Sequence, residues 1–496
     1  MMTGLPSDAI GVCAYRRRIA AALCCLGLAS AVGDAWGHAF AQPYLLPVPF
    51  TYYAYGAMAA LAASFLVIGL FARGSHGAAW RRTGDEPGEE AAAADESWPC
   101  ALTGLSLLVL CIATGLAGTR NAYANFNMTF FWIVFVLGVP YAVAIFGDFY
   151  RLFSPWRAAV SLLELLRGRP LQGVVARPER LGSAVAVLFY MAFIWLELFG
   201  QLGPRGLAVA LLVYTAANVV GAILLGKSYW FRHCELFAVL LGLLGLMSLR
   251  PKGWHARQPL RAGWTWPLVG LLRARLHGSS IVVFILFMLS STAFDGLHST
   301  LPWVQLFFGY VFNAFEGMLP GTTRQRYAIG VSVFAWWQWT FLVLSPFLYL
   351  ALLRVAVMAS RWFAKTTNST NELVSAFAPS LIPIAFVYHV THYYTLLLSQ
   401  GLQLWKLVSD PFGLGWNLFG TATADVQPIM IGAAAIWMSQ VCLIVAGHVL
   451  GVYVAHVEAT RIYAGRRHAL ASQIPMLALM MFLTAAGLWI LSLPLS

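Results

Sequence analysis

Charge is what this 496-residue sequence has least of: Asp, Glu, Lys and Arg together make up 10% of it, against about a quarter in soluble globular chains. A surface cannot be solvated with so few charges, so the class of water-soluble globular proteins is excluded. Familiar catalytic signatures are missing as well. There is no GxxxxGK[ST] phosphate loop, no GxSxG nucleophile elbow, no HExxH and no CxxC. Phosphate-loop ATP hydrolysis, elbow-type serine hydrolysis and zincin proteolysis therefore drop out. Seven cysteines in a chain of this length imply no disulfide framework.

What fills the sequence is apolar: 60% of residues are hydrophobic, 14% aromatic, and mean hydropathy is +0.73. Apolar runs near 20 residues, continuous rather than alternating, specify spanning helices and not a barrel. In a bilayer every backbone polar group must be satisfied internally, which leaves an all-α polytopic membrane helix bundle. Ten spans fit, roughly 50–71, 101–118, 127–147, 183–200, 206–225, 279–294, 329–353, 373–400, 429–456 and 474–493. Two further apolar stretches are read as lying in or re-entering the interface: 235–249, too short to cross, and the aromatic-rich 301–319.

Residues 1–37 read as a cleavable signal peptide. Arg16, Arg17 and Arg18 precede a 14-residue apolar run, Ile19 to Val32, and "DAWGHAF" offers Ala35 and Gly37 at the cut. Cleavage there makes His38 the first residue of a single integral membrane domain, 38–496, and removes Cys13, Cys24 and Cys25. With the mature N-terminus outside, 23 of the 31 Lys and Arg residues fall on inner segments and only Arg120, Arg205, Arg324, Arg326 and Lys406 outside. That asymmetry predicts both termini in the periplasm of a bacterial inner membrane. It also accounts for the net charge of +12 without nucleic acid as a partner. The inner segments are a Gly/Ala/Glu-rich linker, 72–100, and basic loops at 148–182 and 226–278.

On this topology His76, His233, His255, His277, His456 and His468 lie in or beside inner loops, solvated or at headgroups, and His448 lies inside the ninth span. Four histidines belong to the outer half: His38, His298, His389 and His392. His389 and His392, in "AFVYHVTHYYTLLLSQG", share one helical face at a spacing of three. In "STAFDGLHSTLPW", Asp295 and His298 are also three apart, with Gly296 allowing a turn and Pro302 stopping any helix. A carboxylate and imidazoles suit a divalent metal ion, Zn, Cu or Fe, with His389, His392, His298 and Asp295 as ligands. Asp295 and His298 also suit a base and its orienter for activating water. Equally open are histidines that bond a neighbouring helix, a proton relay, and an Asp that caps the next helix. His38, with amine and ring nitrogen together, would chelate copper at a mature N-terminus. Glu197, Glu316, Asp410 and Asp425 are the other outer acids. Asp410-Pro411 with three glycines marks an ordered outer loop at 407–422, a candidate lid over the eighth span, while Asp148 is expected to partner Arg151.

The segments "GHAFAQPYLLPVPF", "SSTAFDGLHSTLPW", "VYHVTHYYTLLLSQGLQLWKLVSDPFGLGWNLFGTA" and "QVCLIVAGHVLGVYVAHVEATRIYAGRRHALASQ" resemble bacterial polytopic membrane proteins named as fenitrothion hydrolase subunits. The resemblance implies hydrolysis of an organophosphorus triester, an apolar small molecule, with release of a nitrophenol and with a second membrane subunit as a partner. It supplies no catalytic residues; those named above come from position and residue type. A transporter or permease, and a membrane component of a copper-handling or redox system, are the alternative expectations.

Overall fold

The proline and capping chemistry of the sequence shows where each rod starts and breaks. A computed structural model describes residues 48–71, 97–175, 181–250, 265–274, 276, 278–427, 429, 431–463 and 466–493. His38, the signal expected at 1–37 and most of the expected linker lie outside them. The described elements are helices: α1 (Phe50–Phe71), α2 (Trp98–Ala117), α3 (Phe126–Phe146), α4 (Pro155–Arg167), α5 (Ala184–Phe199), α6 (Pro204–Leu225), α7 (Leu236–Gly245), α8 (Ser279–His298), α9 (Leu301–Gln305), α10 (Thr323–Ala364), α11 (Thr370–Phe377), α12 (Ile382–Gln400), α13 (Ala433–Ile462) and α14 (Arg466–Ser492). They belong to one compact unit spanning 42–496. Among the described residues nine rods are long and apolar enough to cross a membrane, with α11 and α12 counted as one rod; α5, at 16 residues, is the shorter tenth. The chain is a polytopic membrane helix bundle.

Local chemistry explains the boundaries. Ser369 and Glu372 form a reciprocal capping box that starts α11, and Thr322 with Gln325 starts α10 in the same way. Pro379 and Pro383 cannot donate to the helix ladder, and between α11 and α12 the rod tightens into a 3₁₀ turn, Ala378–Leu381. Pro140 in α3 likewise withholds an N–H, and ten residues upstream of it, Thr129–Gly138, take a π-helical winding. Such a winding sets the aromatic side chains of α3 at angles that a regular helix would not give.

Several boundaries differ from expectation. α8 runs straight through Gly296 to His298, so Asp295 and His298 sit on its last turn and not in a loop. Pro302 starts α9 instead of stopping a helix, since its missing N–H would be unsatisfied there anyway. α9 then continues through Leu306–Phe312 to Glu316; Phe307 and Phe312 are buried, while Tyr310 and Met318 are exposed, which fits an interfacial segment. Of the two expectations for 235–249, interfacial or re-entrant, the second fits: α7 is buried along nearly its whole length, inserted among the spans. Within the basic segment 148–182 lies an amphipathic helix, α4, capped by Ser154. His456, expected to be solvated, is buried and bonds Gln473 Oε1 at 3.0 Å.

At the centre stands α8, packed against α5, α10 and α12. Its small residues permit close approach, as usual between helices in lipid. Ser290 meets the hydroxyl of Ser345 on α10 at 2.8 Å. A Cβ on Gly296 would stand 2.8 Å from Ile490 and 3.8 Å from the His392 ring. Gly296 is therefore what lets α12 and α14 close on the end of α8.

Candidate functional site

Asp295, buried on the last turn of α8, is the hub. Its Oδ2 accepts hydrogen bonds from Tyr393 Oη at 2.5 Å and His392 Nε2 at 2.8 Å, both from α12. One turn further along α8, His298 Nε2 stands 3.5 Å from Oδ1. The His298 ring is held between Phe294 and Phe199, at centroid distances of 5.7 and 5.6 Å, and its carbonyl takes a hydrogen bond from Gln338. Two hydrogen-bonding side chains, Tyr393 and His392, and the nearby His298 imidazole thus converge on one carboxylate, as a buried charge requires.

His389 goes elsewhere. Its ring lies against Tyr393 at 5.0 Å and Tyr141 at 5.9 Å, and its buried Nε2 has no hydrogen-bond partner among the described residues. It borders a cavity of about 50 Å³ enclosed by α3, α5, α7, α8 and α12. The cavity's polar wall is Glu197, Ser291, Thr292, Asp295, His389 and Tyr393; Phe135, Phe193, Phe237 and Met288 are among its apolar surroundings. That volume holds a few waters. Glu197, from the last turn of α5, feels the Asp295 charge, and its carboxyl interacts with the Tyr393 hydroxyl, so Tyr393 stands between two carboxyl groups.

The structure therefore brings Asp295, His298 and His392 together, with imidazole–carboxylate distances of 3.5 and 2.8 Å, and sets His389 beside them on the cavity. Of the expected metal ligands, His392 and His298 direct their Nε2 atoms toward Asp295, while His389 lines the cavity that Asp295 also borders. Among the described residues no three His, Cys, Asp or Glu side chains are grouped to hold a metal ion. The 407–422 loop is ordered, with Asp410 accepting from the backbones of Leu414 and Gly415, but it packs on the α2–α3 connection through Thr119 and Phe126, and none of its residues borders the cavity. Asp148 does lie beside Arg151, as expected, with Arg157 as a second positive neighbour.

Two participants escaped the sequence reading, Tyr393 and Tyr141, and Glu197 was named there only as an outer acid and given no part in the site. Glu197 was the one acid in an otherwise apolar helix, a signal that usually marks function in a membrane. Tyr393 is four residues after His389 and so shares its face. Tyr141 carried no signal, because its place depends on the winding of α3. Comparison of the chain with protein-family models, with curated proteins and with solved structures returned no match.

Proposed function

We propose that the protein is a membrane-embedded acid–base enzyme in which His389 draws a proton from a water in the cavity, and that this water attacks an apolar ester. The carrying observation is the unpartnered Nε2 of His389 facing a water-sized cavity that it shares with Asp295, Glu197 and Tyr393. The resemblance to the fenitrothion hydrolase subunits supports an organophosphorus triester as the substrate class. In that reaction the water oxygen bonds to phosphorus and the P–O bond to the aryl group breaks. The water's proton passes to His389 and on to the departing aryloxide, giving the diester acid and a nitrophenol. Asp295 orients His392 and Tyr393, and Tyr393 carries the Asp295 charge toward Glu197.

A cavity of about 50 Å³ is well short of the ~300–1,000 Å³ of pockets that hold drug-sized ligands. The ester must then reach the water by parting the apolar wall. The same volume favours a second reading, a proton-coupled transporter whose cavity holds water alone.

Nitrophenol release by the purified protein in detergent tests the first reading. Wild type is expected to turn over with or without chelator, and His389→Ala to lose ~10²–10⁴-fold in kcat, as for a general base. Turnover that survives His389→Ala removes His389 as the base. Turnover lost on chelation and restored by Zn would make the Asp295 group a metal site after all.

A further inference from the structure

A second set of buried titratable groups lies around the inserted helix α7. Glu235, fully buried, caps α7 by accepting from Phe237 N at 3.0 Å and Ala238 N at 2.6 Å. It also takes the Tyr214 hydroxyl at 2.6 Å and, more loosely, that of Tyr150 at 3.5 Å. Tyr150 lies in the field of both Glu235 and Asp148. Asp148 sits over the other end of α7, its backbone against Gly245 and its Oδ2 3.9 Å from where a Cβ on Gly242 would be. It is only 8% exposed, and the charges facing it are Arg151 and Arg157. Burial pushes its carboxyl up to about 6, against the pull of those arginines. Tyr214 and Tyr150 in turn lie against Phe237 and Phe135, each with ring centroids 6.0 Å apart.

What separates them from His389 and Glu197 is a layer of rings. Phe237, whose own N–H is bonded to Glu235, borders the cavity together with Phe135 and Phe193, with centroids 4.9 and 5.6 Å from its own. Hydrophobic constrictions of this kind stop conduction while dry and admit it when wetted. We propose that Asp148–Tyr150–Glu235–Tyr214 and Glu197–Asp295–His389–Tyr393 are two stations of a proton path across the bundle, closed in this structure by the Phe135–Phe193–Phe237 layer. Protons move between the stations when water enters the layer. The inference does not depend on ester hydrolysis.

The test is proton flux into vesicles of phosphatidylcholine and phosphatidylglycerol holding the full-length protein and an internal pH dye, driven by a potassium diffusion potential. Wild type is expected to exceed protein-free vesicles. Glu235→Gln, which keeps an oxygen for the α7 cap, should cut the excess ~10-fold, in the range of a lost acid–base group. Phe237→Ala should raise it several-fold. Flux in wild type and Phe237→Ala no higher than in empty vesicles overturns the path, as does undiminished flux in well-folded Glu235→Gln. Should Glu235→Gln fail to fold, Tyr214→Phe is expected to lower the flux and unchanged flux there overturns the path. Nitrophenol release, assayed in parallel, separates this from the enzymatic reading: a Glu235→Gln protein that hydrolyses at the wild-type rate but conducts no protons supports the path alone.

Discussion

Replacing Asp295 by Asn keeps the size of the side chain and removes its charge. The two donors on Oδ2, His392 Nε2 at 2.8 Å and Tyr393 Oη at 2.5 Å, then meet either a neutral amide oxygen or an amide NH₂. The better orientation keeps the oxygen toward them. Each bond then falls from the charged class, ~1.5–3 kcal/mol, to the neutral class, ~0.5–1.5 kcal/mol. Two bonds therefore cost about 2–3 kcal/mol in all, and the His298 side chain, 3.5 Å from Oδ1, gains a donor opposite its own. A double-mutant cycle isolates the pairwise part. Asp295→Asn combined with His392→Gln should show a coupling of about 1–2 kcal/mol, and Asp295→Asn with Tyr393→Phe about the same. Exposed His468 at the far end of the bundle should be additive with Asp295 to within ~0.5 kcal/mol. The assay is reversible unfolding in mixed micelles followed by tryptophan fluorescence. Couplings below ~0.5 kcal/mol for both partners would refute the claim that these side chains form one charged network around Asp295.

Asp148→Asn tests the buried carboxyl beside α7. Because its folded value, about 6, lies above the ordinary 3.8, the folded state holds the proton more tightly. Wild-type stability should therefore fall as pH rises from about 4 to about 6 and level off above, by ~2–3 kcal/mol; the Asn variant should lack this fall and be the more stable protein at pH 7.5. Melting curves at pH 4.5 and 7.5 decide it. Gly487→Ala drives a Cβ into the Tyr388 hydroxyl, which donates to Leu483 O at 2.8 Å. That overpacking should cost ~1–3 kcal/mol in the same micellar unfolding assay. Asp410→Ala should speed amide exchange across the outer loop, where Leu414 and Gly415 lose their acceptor, and leave nitrophenol release and proton flux unaltered.

Much of the bundle was legible because lipid imposes its rule on each segment separately: a span is a property of about twenty consecutive residues. The capping boxes at Ser369 and Thr322 are equally local. Where the reading of Gly296 and Pro302 went astray, the error was also local. Glycine permits a turn without requiring one, and proline ends a helix or begins one depending on where in the turn it falls. Of the site, Asp295, His298, His389 and His392 were legible because ionisable groups are conspicuous in an apolar run. Their division of labour was not. A spacing of three puts His389 and His392 on one face, yet His392 turns to Asp295 and His389 to the cavity.

The sequence by itself determined that the chain is a helical membrane bundle, where its rods begin, and that the chemistry of interest is concentrated in a few carboxylates and imidazoles. Each of these follows from hydropathy, proline or capping within a window of the chain. Only the tertiary structure decided that α8 and α12 touch, that Glu197 and Tyr393 complete the group around Asp295, and that α7 inserts with Glu235 as its buried cap. Those facts depend on which faces of distant segments meet, and that is set by packing: small residues such as Gly296 let some helices approach, and a π-helical winding before Pro140 turns the aromatic side chains of α3.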